Sequence, residues 1–302
     1  MSGIKLIKQL YTTMEILKNE MLQIVVSEHG AELQSIQDAE GKEYLWQADP
    51  KYWGRHSPIL FPIVCGLWDD CYRLDGYEYK MARHGFARDM DFRLINKTDT
   101  KVTFALEDSP ETHRCYPYHF MLSITYRLDG NKIHVIWHVH NTDNNEIHFQ
   151  IGGHPAFLIP DVEEGEAPEG TIRFDNKRDI ERLIGNVGGC IVPGRFPVDS
   201  KEGLWHFTED SFKDDCVIID KSQVKQVQLL DKQMNPVVTV DMKTPCVGIW
   251  APYGKHAPFV CIEPWYGIHD KVEYRGDFRK KYLMNHLQPG ASFLSEYTIT
   301  IG

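Results

Sequence analysis

The chain reads as an all-β protein, a large antiparallel β-sandwich, and three observations point there. Apolar and polar residues alternate with a period of two through most of the chain, turn dipeptides separate the alternating runs, and no long helical pattern interrupts them. The clearest predicted strands are 22–26, 102–106, 120–128, 133–140, 224–230, 237–242 and 293–301. Shorter runs bring the count to roughly a dozen or more, at the spacing of a sandwich or barrel. Asp75-Gly76 and Asp129-Gly130 each sit between two such runs and predict type I′ hairpins. Helical spacing occurs only at 110–115 and 178–184, too short to cover a sheet face. Without a βαβ rhythm, Rossmann and TIM-barrel architectures are excluded. The stretch 163–170 reads as an acidic surface loop, and 185–203 as a glycine-rich loop region.

Composition narrows the function. A net charge of −10 with no basic stripe argues against nucleic acid as a partner and against anionic membrane surfaces. No run has the length of a transmembrane helix, and residues 1–13 lack the apolar segment of a signal peptide, so a cytoplasmic protein is expected. Met14 opens the first strand-like pattern. Residues 1–13 therefore read as an N-terminal extension, and 14–302 as one domain. The seven cysteines (65, 71, 115, 190, 216, 246, 261) are odd in number and form no CxxC pair, which predicts buried free thiols rather than disulfides or a zinc site. There is no GxGxxG or Walker pattern and no GxSxG serine, so neither a phosphate-cradled cofactor nor a serine hydrolase is indicated. His134, His138 and His140 share one strand, and with no third ligand evident beside the HxH pair they read as polar-face residues.

Three segments stand apart: Arg83-His84-Gly85-Phe86-Ala87-Arg88, Gly152-Gly153-His154-Pro155-Ala156-Phe157 and Cys261-Ile262-Glu263-Pro264-Trp265. Each sets an ionisable side chain among glycine, proline and aromatic residues. Glu263 ends an apolar strand, where desolvation raises a carboxyl toward the range useful to a general base. His154 ends an alternating strand, a place where sandwiches display functional groups. His84 lies between Arg83 and Arg88, and neighbouring cations disfavour its imidazolium form. Trp250 and Trp265 end strands beside prolines and offer flat apolar surface. The segments supply one carboxylate and two imidazoles, not the carboxylate pair of a glycoside hydrolase.

Together with Ser57-Pro58-Ile59-Leu60-Phe61-Pro62-Ile63-Val64, and in this order, the segments resemble the aldose 1-epimerase (galactose mutarotase-like) family, most closely its LacX-like branch. The resemblance spans about residues 14 to 301. It implies the family's large β-sandwich and the interconversion of α and β anomers of a free aldohexose, with no metal or organic cofactor. It also implies Glu263 as general base, His154 as general acid and His84 as the second active-site histidine. Asp215, or its neighbour Asp214, corresponds to the family's substrate-holding aspartate. One departure stands out. Where many relatives carry an arginine after the Phe-Pro-Ile-Val segment, this chain reads Cys65-Gly66-Leu67, and Arg55 or Arg83 are the residues able to supply the missing donor. Two other functions fit the resemblance: a sugar-binding or sensing protein with weak or no catalysis, and a hexose-phosphate mutarotase. A small-molecule sugar is the partner implied. The sequence carries no signal for oligomeric state.

Overall fold

Two antiparallel sheets dominate the computed structural model, which describes residues 13–302. The N-terminal extension therefore lies, except for Thr13, outside the described residues. The larger sheet has nine strands in the order Leu204–Phe207, Gly170–Phe174, Gln226–Leu230, Pro236–Met242, Ser292–Ile301, Lys132–Asn141, Phe120–Asp129, Lys101–Glu107 and Arg93–Lys97. The smaller runs Val217–Ile219, Cys246–Trp250, Phe259–Tyr266, Ile151–Gly153 and Ile59–Leu60, with Ala156–Leu158 also paired to Phe259–Tyr266. A three-stranded sheet, Met14–Lys18, Leu22–Ser27 and Leu33–Asp38, adds to the core.

Sequence alternation becomes burial in the long strands. Along Lys132–Asn141, Ile133, Val135, Trp137 and Val139 are fully buried, while His134, His138 and His140 alternate onto the other face. Each large apolar side chain so buried contributes about 1.5–3 kcal/mol relative to exposure. The strand Phe259–Tyr266 differs. It is buried on both faces, which is why Phe259 to Ile262 read as an apolar run rather than an alternating one, and it continues through Glu263, expected at its end, to Tyr266.

All seven predicted strands form, although the one expected from 224 begins at Gln226. Asp75 and Gly76 both have positive φ, as a type I′ turn requires. At the second hairpin Asp129 pairs with Lys132, so Gly130 and Asn131 are central and only Gly130 has positive φ. That is a type II′ pattern, with glycine at its first central position.

Both expected helices are corrected. Only a single 3₁₀ turn, Thr112–Arg114, forms within 110–115. Across 178–184 the chain is extended, with Glu181–Arg182 paired to Phe196–Pro197 and the Leu183 N–H bonded to the Ile218 carbonyl. Tertiary pairing and the burial of Ile180 and Leu183 override a spacing that matched a helix by coincidence. The 185–203 stretch also holds structure. Gly185–Val187 and Cys190–Ile191 make a hairpin whose turn, Gly188-Gly189, has positive φ at both positions.

Candidate active site

Glu263 and His154 face each other across adjacent strands. Ile151 and Gly152 pair with Tyr266 and Trp265, and Ala156, Phe157 and Leu158 pair with Cys261, Val260 and Phe259. The same register carries through the interruption at His154-Pro155, which sets residue 154 opposite residue 263. Gly152 is required here, since a Cβ would lie 2.7 Å from Cδ1 of Trp265. His154 Nε2 is 3.1 Å from Glu263 Oε2, with both residues buried.

His84 arrives from another direction. It has φ +71° and Gly85 φ +72°, and a Cβ on Gly85 would fall 2.2 Å from the Phe61 carbonyl oxygen. Glycine lets this loop close on the Phe61 backbone, whose carbonyl accepts the N–H groups of Phe86 and Ala87. The His84 ring packs edge-on to His154 with centroids 5.4 Å apart. Its Nδ1 accepts the Cys65 N–H at 3.1 Å, so in the neutral ring the hydrogen is on Nε2.

These residues line one open cavity of about 510 Å³. Trp53, Trp250 and Trp265 supply aromatic surface, and Trp53 stacks on His154 at 4.9 Å. Arg83, Arg88, Asp215 and His269 complete its polar lining, with the Cys65 and Cys216 thiols. Asp215, not Asp214, is the aspartate that lines the cavity. It is 3.2 Å from Arg83 Nη2, whereas Asp214 faces Arg182 at 3.8 Å. Arg55 is not among the lining residues; its guanidinium is bonded to Asp89 at 2.7 Å, and Arg88 lines the cavity instead. No side chain at position 66 could enter without displacing its neighbour, because a Cβ there would sit 2.9 Å from the Gly189 carbonyl oxygen.

Burial sets the electrostatics. Burial and the nearby Asp215 hold the Glu263 carboxyl well above the usual range, against smaller opposing effects of Arg83 and the Trp265 indole N–H. Burial, with Arg88, Arg83 and Arg55 adding repulsion, pushes His154 down to about 3. His84 is held well below its ordinary value, chiefly by burial and then by His154 and the two arginines. The sequence pointed to the arginines; burial outweighs them. Burial thus favours the uncharged form of each, a protonated Glu263 beside a neutral His154. His154, Cys261 and Glu263 place potential ligand atoms within 4.8 Å of one another. Burial, with Glu263 adding repulsion, raises the Cys261 thiol above its ordinary value.

Trp53 and His269 were not singled out from sequence as binding residues. Trp53-Gly54 and the tract after Trp265 hold the expected aromatic and histidine types, but nothing local marks them as facing the cavity. Among the described residues, no helix is long and apolar enough to cross a membrane.

Comparison with known proteins agrees with this geometry. The family model described as aldose 1-epimerase matches residues 13–272. Protein LacX, chromosomal, of Lactococcus lactis subsp. lactis is 30% identical over 294 residues, covering 94% of this chain and 98% of that protein. The structure of a galactose mutarotase related enzyme from Lactobacillus acidophilus superposes with a TM-score of 0.89 at 35% identity, covering 96% of this chain and 97% of the other. A galactose mutarotase-like protein from Lactobacillus casei gives 0.90 at 29% identity, covering 96% and 100%. The architecture is thus the galactose mutarotase-like β-sandwich, and the chain belongs to the aldose 1-epimerase family.

Proposed function

We propose that the protein is an aldose 1-epimerase acting on a free, unphosphorylated aldohexose, with Glu263 as general base and His154 as general acid. The observation that carries this reading is the buried 3.1 Å contact between the two groups in a cavity walled by tryptophans. Aromatic planes offer apolar faces to a sugar ring, and the two polar groups suit adjacent oxygens of the O1–C1–O5 unit.

Ring opening requires Glu263 ionised and the proton on His154, a form that burial disfavours and that the polar groups of a bound sugar must stabilise. Glu263 takes the proton of the C1 hydroxyl, the C1–O5 bond breaks as the carbonyl forms, and His154 gives its proton to O5. The pair then holds its proton on Glu263, still with no net charge. Rotation about C1–C2 and reversal of the transfers give the other anomer. The step thus ends in the uncharged pair that burial favours. His84 Nε2–H donates to a substrate oxygen, and Asp215 with Arg83 holds a hydroxyl.

The arginines favour the free sugar over a hexose phosphate. Arg83 is paired with Asp215, and Arg55 and Arg88 share Asp89, at 2.7 and 3.6 Å, so two carboxylates already engage the three guanidiniums near the cavity. A phosphate would have to displace them. The test is anomer exchange of glucose, galactose and glucose 6-phosphate by saturation-transfer NMR. Acceleration of a free aldose is expected. Binding without acceleration would assign the chain to sugar sensing, and selective turnover of the phosphate ester would overturn the free-sugar reading.

A further inference from the structure

We infer that His269 is a substrate-selecting residue whose Nε2 accepts a hydrogen bond from one hydroxyl of the aldose, so that the site requires a hydroxyl donor at that position. The inference rests on the sugar reading of the cavity and adds a residue to which the proton transfers assign no role.

His269 is 3% exposed and lines the cavity. Its Nδ1 contacts the Gly189 carbonyl oxygen, which can only accept, so Nδ1 carries the hydrogen. Nε2 is buried and has no partner among the described residues. A buried acceptor left without a donor costs about 1–3 kcal/mol, and a ligand hydroxyl in the cavity removes that cost. The ring is kept neutral, since burial and then Arg83 push it down to about 3, so Nε2 retains its lone pair.

The ring is also held in place. Gly189 belongs to the Gly188-Gly189 hairpin turn, and the hairpin is fastened to the segment after His269 through the Ile191 N–H and the Asp270 carbonyl at 2.7 Å. Gly66 gives its carbonyl to the Asp270 N–H at 3.0 Å, and its missing side chain leaves the room that the Gly189 carbonyl occupies. Asp270 in turn forms a buried ion pair with Lys281 at 3.1 Å and accepts the Trp68 N–H. Gly66, Gly189 and His269 thus form one device: the bare glycine admits the carbonyl, and the carbonyl sets the tautomer. His84 has the opposite tautomer, so the cavity presents one uncharged imidazole donor and one uncharged imidazole acceptor. An acceptor discriminates sharply, because a deoxy or ester position brings no proton to it.

The experiment compares the wild-type full chain with His269→Asn and His269→Gln on glucose, galactose and their monodeoxy analogues, following anomer exchange and, separately, sugar binding by calorimetry. Asn keeps the bond to Gly189 and loses the acceptor at the Nε2 position; Gln can place an acceptor there. For His269→Asn, KM should rise about tenfold, the size of one uncharged hydrogen bond, with kcat nearly unchanged and the melting temperature preserved. Gln should restore part of the loss. For one monodeoxy sugar, the wild type and His269→Asn should be equal. Gly66→Ala, which pushes the Gly189 carbonyl away, should reproduce the Asn pattern. A loss spread evenly over all analogues, or no loss, overturns the role of His269 while leaving the epimerase reading intact. A wild type that binds sugar without exchange overturns the epimerase reading, and the binding arm still decides on His269. A wild type that neither binds nor converts any of these sugars overturns both.

Discussion

His154, in the break between two short strands, lies opposite Glu263 on the strand that both pair with, and their side chains meet at 3.1 Å in a buried pair. The catalytic predictions follow from this contact.

Removing either partner should stop the chemistry while leaving the sheet intact. Glu263→Gln keeps the shape but cannot take a proton, and His154→Asn cannot give one. Each positioned proton-transfer group typically contributes about 10²–10⁴-fold, so kcat should fall at least about a hundredfold in either variant. Near-normal turnover of Glu263→Gln, with unchanged circular dichroism, would falsify the assignment.

The pair should also widen the pH range of activity. Losing its one proton is resisted because the carboxyl is raised, and gaining a second because the imidazole is depressed to about 3. The plateau of kcat/KM should therefore extend on both sides of the narrow window between an ordinary carboxyl and an ordinary histidine. Steady-state rates across pH 4–9 test this. An alkaline limb near 6.5, as for a lone imidazolium, would count against the raised carboxyl.

Acid should destabilise the fold before carboxylates titrate. His84, His148 and His269 are buried with depressed values, His148 to about 4 and His269 to about 3. Their folded values lie below the unfolded value of 6.5, so the unfolded chain binds more protons. Stability is complete above 6.5 and is lost as pH falls toward the folded values, by up to about 1.4 kcal/mol per pH unit for each group. Urea melts at pH 7, 6 and 5 should show a progressive fall in midpoint at constant slope. A flat midpoint over that range contradicts the neutral burial of these rings.

Gly85→Ala should damage stability and activity together. At φ +72° a Cβ costs about 1–2 kcal/mol, and the 2.2 Å approach to the Phe61 oxygen adds a clash the loop must relieve by moving His84. Chemical denaturation should report a loss of at least about 2 kcal/mol. Turnover should fall as well, whereas the same change at Gly41, where a Cβ meets nothing within 4 Å, should leave kcat untouched.

Much of this was legible in the chain because strand periodicity is local. The run through Trp137 announced its two faces, and Glu263 and His154 announced themselves by their glycine, proline and tryptophan neighbours. Asp215 was legible only to within one residue, since two adjacent aspartates differ in which face of the chain they occupy. His269 and Trp53 were not legible. Their relevance arises from long-range packing, a carbonyl eighty residues away for one and a stacked ring about a hundred residues away for the other. The stretch 178–184 misled for the same reason: two buried residues three apart mimic a helix when the pairing partner is distant.

The pairing of Ile151–Gly153 and Ala156–Leu158 with one strand has a consequence for how this chemistry can change over time. Strand spacing is a backbone constant of about 4.8 Å, indifferent to side-chain identity. The gap between proton donor and acceptor is therefore gauged by the ladder itself, and substitutions around the cavity can retune which sugar fits without resetting that gauge. Length is another matter. One residue inserted between Gly152 and Ala156 would turn His154 toward the opposite face, so this short stretch should tolerate exchange of letters but not a change in their number.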